Sequence, residues 1–110
     1  MNNLKKVIYK LLNDIITSYY EDAPKTVSYP YAVYDLEGIG KDYRLEINLY
    51  DTSKNTTKID EKCDEIKHFF DDFYYKNDDL FIETSINTIN SPREDGFKRR
   101  RILIDINYYD

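Results

Sequence analysis

Leu4, Ile8, Leu11, Leu12 and Ile15 recur at steps near 3.6, while Lys5, Lys6, Lys10, Asn13 and Asp14 take the opposite face. This spacing predicts an amphipathic helix from about Asn3 to Thr17. The segment Tyr20-Glu21-Asp22-Ala23-Pro24 ends it, because the residue before a proline is pushed out of the helical region. Lys25 to Ser28 has the composition of a short strand. Tyr29-Pro30-Tyr31-Ala32-Val33-Tyr34 then carries aromatics on both faces, and its proline, which donates nothing to a ladder, belongs at a strand start or edge. Glu37-Gly38-Ile39-Gly40-Lys41-Asp42 turns the chain with two of its three glycines. Tyr43-Arg44-Leu45-Glu46-Ile47-Asn48-Leu49-Tyr50-Asp51 returns with strict period-two alternation, the mark of a half-buried strand.

A second helix follows. Ile59, Cys63, Ile66, Phe70 and Phe73 alternate steps of four and three, making one apolar stripe. Thr57 with Asp60 gives a capping-box-like start, Asp60 and Glu61 suit the positive end of the helix dipole, and Asn77 fits a left-handed cap at the exit. Leu80 to Ile89 is predicted as a strand whose alternation breaks around Thr84-Ser85, as at a bulge. Ser91 to Arg101 reads as a polar connection, and Ile102 to Tyr108 as the last strand, with Ile102, Ile104 and Ile106 on the core face. The predicted order is α-β-β-α-β-β. These elements favour a single α+β domain, with a mostly antiparallel sheet of about four strands and both helices packed on one face. The two helix-and-hairpin halves do not match closely enough to count as a repeat.

At 110 residues the chain is sized for one domain, 1–110, that removes about two-thirds of its unfolded surface from water. Charged residues make up 34% and aromatics 15%, twelve of them tyrosines, which is too aromatic for a disordered chain. Tyrosine joins a large apolar ring to a polar tip, so tyrosines in number suit a surface that an assembly covers. The net charge of −5 argues against a protein that grips nucleic acid over a broad face. No apolar run approaches the ~20 residues of a membrane span. The opening residues lack the apolar core and cleavage site of a signal peptide. A soluble protein made in a reducing cytoplasm is the expectation, with the lone Cys63 unpaired. Asn55-Thr56-Thr57 matches a glycosylation sequon and is read as turn chemistry.

His68 is flanked by Asp64 and Asp72 on one helical face, but ligands stacked along one helix converge poorly on an ion, and a solvated face explains the row. Cys63 lies on the apolar stripe, as a buried structural thiol does. Asp35, Glu46, Asp51 and Asp105 are strand carboxylates of the kind metallonucleases gather, yet Asp105 alternates with Ile104 and Ile106 as an ordinary solvent-facing position does. No phosphate loop, nucleophile elbow or Cys/His metal spacing is present. The expectation is a non-enzyme without metal or cofactor. Lys98-Arg99-Arg100-Arg101, after Arg93-Glu94-Asp95-Gly96-Phe97, is the one concentrated basic run. In a strand, its alternate arginines point to opposite faces, as on a solvated edge strand. On the acidic overall balance a protein partner is favoured over DNA.

The "P-Y-x-x-Y" strand Tyr29–Tyr34, the "L-x-I-x-L-Y-D" strand ending at Tyr50-Asp51, and the helix after them resemble the tail terminator (tail-completion, or tail-to-head joining) proteins of long-tailed bacteriophages and phage-tail-like particles. The resemblance runs over most of the chain and rests on element order, length and these two tyrosine-bearing strands. It implies a structural virion protein at the head-proximal end of the tail, assembled in the bacterial host cytoplasm. Copies of the protein, typically six, form a ring that stops tube polymerisation and docks the head connector or sheath and collar proteins. DNA passes without specific binding where a head is present, and no membrane is involved. Two loops are the implied axial contacts: Glu37, Gly38, Ile39, Gly40, Lys41 and Asp42, and the segment with Arg93, Glu94, Asp95, Phe97, Lys98, Arg99, Arg100 and Arg101. The uncovered sheet face, with Tyr43, Arg44, Glu46, Asn48 and Tyr109, is the candidate subunit surface. Two alternatives stay open: another head–tail adaptor or stopper, and a small acidic inhibitor or immunity-type binding protein.

Overall fold

The computed structural model describes residues 2–52, 57–78, 80–90 and 97–109. Its elements are α1 (Asn2–Asn13), β1 (Ser18–Tyr20), β2 (Tyr31–Ile39), β3 (Asp42–Thr52), α2 (Thr57–Phe70), β4 (Phe73–Lys76), β5 (Phe81–Asn90) and β6 (Phe97–Tyr109). The strands form one six-stranded sheet, ordered β1-β2-β3-β6-β5-β4 and rolled as a half-barrel. β1 runs parallel to β2, and every other neighbouring pair is antiparallel. The expected four-stranded sheet in the order α-β-β-α-β-β is therefore corrected to a mixed sheet of six strands. The order is a helix, a short strand and a long hairpin, repeated once, and the two halves meet where β3 pairs with β6.

The two extra strands arise where a helix stops earlier than its stripe suggests. α1 ends at Asn13, four residues before Thr17, because the Asn13 side chain takes over the exit. Its amide donates to the Tyr9 carbonyl at 2.9 Å, and its carbonyl accepts from the Ser18 N–H at 2.9 Å. This ties the chain into β1, so the short edge strand is Ser18–Tyr20, and Lys25–Ser28 is not a strand. α2 ends at Phe70, and Phe73 belongs to β4. The left-handed residue at that exit is Asp72 (φ 53°), not Asn77. The Thr84 hydroxyl, buried in β5, donates to the Phe70 carbonyl at 2.6 Å, satisfying one of the acceptors that a helix end leaves unpaired. The β5 bulge lies between Ile86 and Thr88, beyond the predicted Thr84-Ser85. The polar turn 53–56, the Thr57 side chain and the connection 91–96 lie outside the described residues.

Period-two alternation places Ala32, Tyr34 and Leu36 of β2 opposite Leu49, Ile47 and Leu45 of β3, and Ile47 and Leu45 opposite Ile102 and Ile104 of β6. These side chains, with Leu4, Ile8 and Leu12 of α1 and Ile59, Cys63, Ile66 and Phe70 of α2, form one apolar cluster. Most of its members are fully buried, at about 1.5–3 kcal/mol each relative to exposure. Both helices thus cover the same face of the sheet. Over the other face, the open face, no helix lies among the described residues.

Candidate functional site: the open face of the sheet

Alternation fixes what the open face presents. Where β2 and β3 send Ala32, Tyr34, Leu45 and Ile47 to the core, the intervening positions send out Tyr31, Val33, Asp35 and Glu37, and Arg44, Glu46, Asn48 and Tyr50. β6 adds Arg99, Arg101, Leu103 and Asp105 in register beside them. The centre of this face is a connected polar array. Arg101 donates through Nε and Nη2 to Glu46 at 2.8 and 2.5 Å, the Asn48 amide donates to Glu46 at 3.1 Å, and Arg99 donates to the Asn48 carbonyl at 3.1 and 2.7 Å. Next to it, Arg44 pairs with Asp105 at 3.3 Å, and Asp105 also accepts from Asn87 at 2.9 Å. Burial pushes the Glu46 carboxyl up, but its hydrogen bonds from Arg101 and Asn48 and the charges of Arg101 and Arg99 outweigh that and hold it below its ordinary value. Charge-assisted bonds of this kind fix the side chains of a flat surface in one arrangement.

Aromatic rings stand at both ends of the array. On one side Tyr31 stacks on Tyr50 with centroids 5.2 Å apart, Tyr29 and Tyr19 lean against Tyr31 at 5.4 and 6.1 Å, and the Arg99 guanidinium lies 5.8 Å over Tyr50. Burial, then the neighbouring tyrosines, raise the Tyr31 hydroxyl above its ordinary value. On the other side Tyr74 stacks on Phe81 at 6.4 Å, and Phe81 meets Tyr109 edge-on at 5.1 Å. Tyr74 is 68% exposed and Tyr109 46%. The recess over Asp35, Glu37, Arg44, Glu46, Arg101 and Leu103 holds about 150 Å³, below the 300 Å³ or so at which small-molecule pockets begin, and a larger one beside Tyr74, Glu83, Ser85 and Asn107 holds about 460 Å³. A broad, rigid, ring-flanked polar surface is suited to a macromolecular partner.

The predicted residues are distributed as follows. Of the first loop, Glu37, Gly38 and Ile39 belong to β2 and Asp42 to β3, so only Gly40 and Lys41 form the turn. Gly40 has φ +63°, which fits the first central position of a two-residue hairpin. The six-residue loop is a tight two-residue reversal instead. Arg93, Glu94 and Asp95 lie outside the described residues, and Phe97 and Lys98 open β6. The basic run is not on an edge: β6 sits between β3 and β5, in the middle of the sheet. Arg99 and Arg101 point to the open face as alternation requires. Arg100 lies on the helix side and pairs with Asp60 of α2 at 2.9 Å. Tyr43 is corrected too, since it packs against the core and meets Tyr108 edge-on at 5.8 Å.

Sequence reasoning missed the Tyr19, Tyr31 and Tyr50 stack and the Tyr74–Phe81 pair. Continuing the Ile102–Ile104–Ile106 alternation back through the arginines to Phe97 gives the full strand, and with it the partner of Tyr50. Cys63 is buried in the α2 stripe, and burial pushes its thiol up. Among the described residues no group of three His, Cys, Asp or Glu side chains is placed to hold a metal ion, and no helix is long and apolar enough to cross a membrane.

Neither the protein-family models nor the curated proteins gave a match to this chain. One solved protein structure superposes with a TM-score of 0.68 over 97% of this chain and 95% of its own, at 12% identity. At that identity the likeness extends to the fold alone.

Proposed function

We propose that this chain is a tail-terminator-type structural protein. In this reading, several copies, six by the resemblance, close head to tail on the head-proximal end of a phage tail tube. The ring stops further tube subunits from adding and offers a docking surface to the head connector or to sheath and collar proteins. The observation that supports it best is the open face: this side of the sheet is built from ion pairs and exposed rings, and no described residues form a layer over it.

A stable standard-sized contact needs about 800 Å² on each partner, and aromatic rings with arginines are what such contacts are enriched in. Asp35, Glu37, Glu46, Glu83 and Asp105 stand with Arg44, Arg99, Arg101 and Lys76 on this face, five acids to four bases, and every one of the arginines has a partner on it or an interaction beyond it. A surface of that balance does not hold phosphate, which agrees with DNA passing unhindered where a head is present. The test is tube elongation. Purified tail tubes mixed with this protein, then given fresh tube subunits, stop lengthening at one end if the proposal holds. Unchanged growth at both ends refutes it.

A further inference from the structure

We infer that neighbouring copies join edge to edge, with β1 of one copy and β4 of the next sharing a single strand position between β2 and β5. The inference deepens the ring reading and rests on it. β1 covers only Ala32–Tyr34 of the nine-residue β2, and β4 covers only Phe81–Thr84 of the ten-residue β5. Asp35–Ile39 and Ser85–Asn90 therefore have no strand beside them on the outer side among the described residues. The ladder registers put Leu36 level with Leu45, Ile104 and Ile86, so the two short strands sit at opposite ends of the sheet. Each edge of the sheet is a step, and the two steps are complementary.

Strand direction makes the fit specific. β2 alternates direction through β3 and β6 to β5, so β5 runs against β2; β4 runs against β5 and hence along β2, as β1 does. When a second copy is set beside the first by a rotation that keeps strand direction, its β4 lies end to end with the first copy's β1. Together these strands of three and four residues are shorter than either long strand flanking them. A slide of two residues, about 7 Å, fills the shared position and keeps every side chain on its own face. Stagger of this sort is what closing a sheet requires.

The chemistry of the edges agrees. Ala32 N–H donates outward to the Thr17 carbonyl and the Tyr34 carbonyl accepts from Glu21 N–H, so alternation turns the N–H and C=O of Leu36 and Gly38 to the same side. No described residue pairs with them there, and unpaired strand edges are templates for another chain. Ile39, Tyr74 and Ile89, three of the six exposed large hydrophobics among the described residues, lie on the segments the joint would cover. On the open face, that slide brings Tyr74 level with Glu37 and Lys76 level with Ile39, which leaves the Lys76 ammonium one diagonal step from the Glu37 carboxylate and the Tyr74 ring one diagonal step from Ile39.

The joint is tested by cross-linking between two populations, both on a Cys63→Ser background. One carries Glu37→Cys, the other Tyr74→Cys. They are mixed at millimolar concentration and treated with a short bismaleimide. Mixed dimers at least tenfold in excess of like-with-like dimers are expected, and the Ile39→Cys and Lys76→Cys pair, with circular dichroism as a check on folding, should repeat the result. Mixed dimers no more abundant than like-with-like ones, or none, in both pairs overturns the joint. If that happens while tube elongation is still blocked, the capping reading stands without the joint. Mixed dimers without a block support the joint and remove the capping reading.

Discussion

Replacing Thr84 with valine removes one hydroxyl and keeps the shape, so it isolates the contact that ends α2. The hydroxyl donates at 2.6 Å to the Phe70 carbonyl and lies 3.4 Å from the Phe73 carbonyl, inside a site where Thr84 is 3% exposed. Without it, a buried carbonyl at the helix end loses its donor, and the cost of leaving such a group unsatisfied is about 1–3 kcal/mol. For a domain of this size that lowers Tm by roughly 4–12 °C. Thermal and urea unfolding followed by far-UV circular dichroism measure it, with Thr84→Ser as the control that keeps the donor and loses only a methyl group. The expected order of stability is wild type, then Ser, then Val. A Val variant as stable as wild type would refute the claim that this hydroxyl, and not propensity, stops α2 at Phe70 and frees Phe73 for β4.

Glu46 supplies a pH dependence. Its folded carboxyl titrates below its ordinary value of 4.5, so it contributes stability that is present above that value and lost as pH falls through the folded pKa. Glu46→Gln should therefore flatten the loss of stability below about pH 4.5 in urea titrations, and an unchanged acid slope would contradict the Arg101–Asn48 network. Arg100→Glu would place a carboxylate beside Asp60 on the helix side, where the Arg100 side chain is 18% exposed. It should lower stability by about 1 kcal/mol or more, the scale of a partly buried pair replaced by repulsion. Arg99→Gln, which takes the guanidinium donors from the buried Asn48 carbonyl, should lower stability by about 1 kcal/mol in the same urea assay. Cys63 should resist a thiol reagent in the folded protein and react at once in urea, because it is buried and its thiol is pushed up by that burial. Rapid native-state labelling would remove it from the core.

The long elements were legible because their patterns are unambiguous. The α2 stripe from Ile59 to Phe70, the Tyr43–Asp51 alternation and the Ile102–Ile104–Ile106 face each obey one period over several residues, and the structure uses them that way. The short strands were not legible. Ser18–Tyr20 and Phe73–Lys76 are only three and four residues long, and each follows a helix whose stripe continues in phase past its true end. What stops α2 is tertiary, the Thr84 hydroxyl arriving from a distant strand, whereas what stops α1 is a local side-chain bond between Asn13 and Ser18 that hydrophobic periodicity does not register. The arginine run hid the first half of β6, since four basic residues read as solvent. Partners on both sides (Glu46 and Asn48 on one face, Asp60 on the other) make a central strand of it. The open face follows from alternation once β6 is extended, but its tyrosine stack depends on a cross-strand register that one strand alone does not contain.

The most direct measurement is electron microscopy of tail tubes incubated with the purified protein, each end scored separately. A ring of extra density at one end and bare tube at the other is the predicted image. Bare tubes at both ends, with the protein folded and in excess, would contradict it.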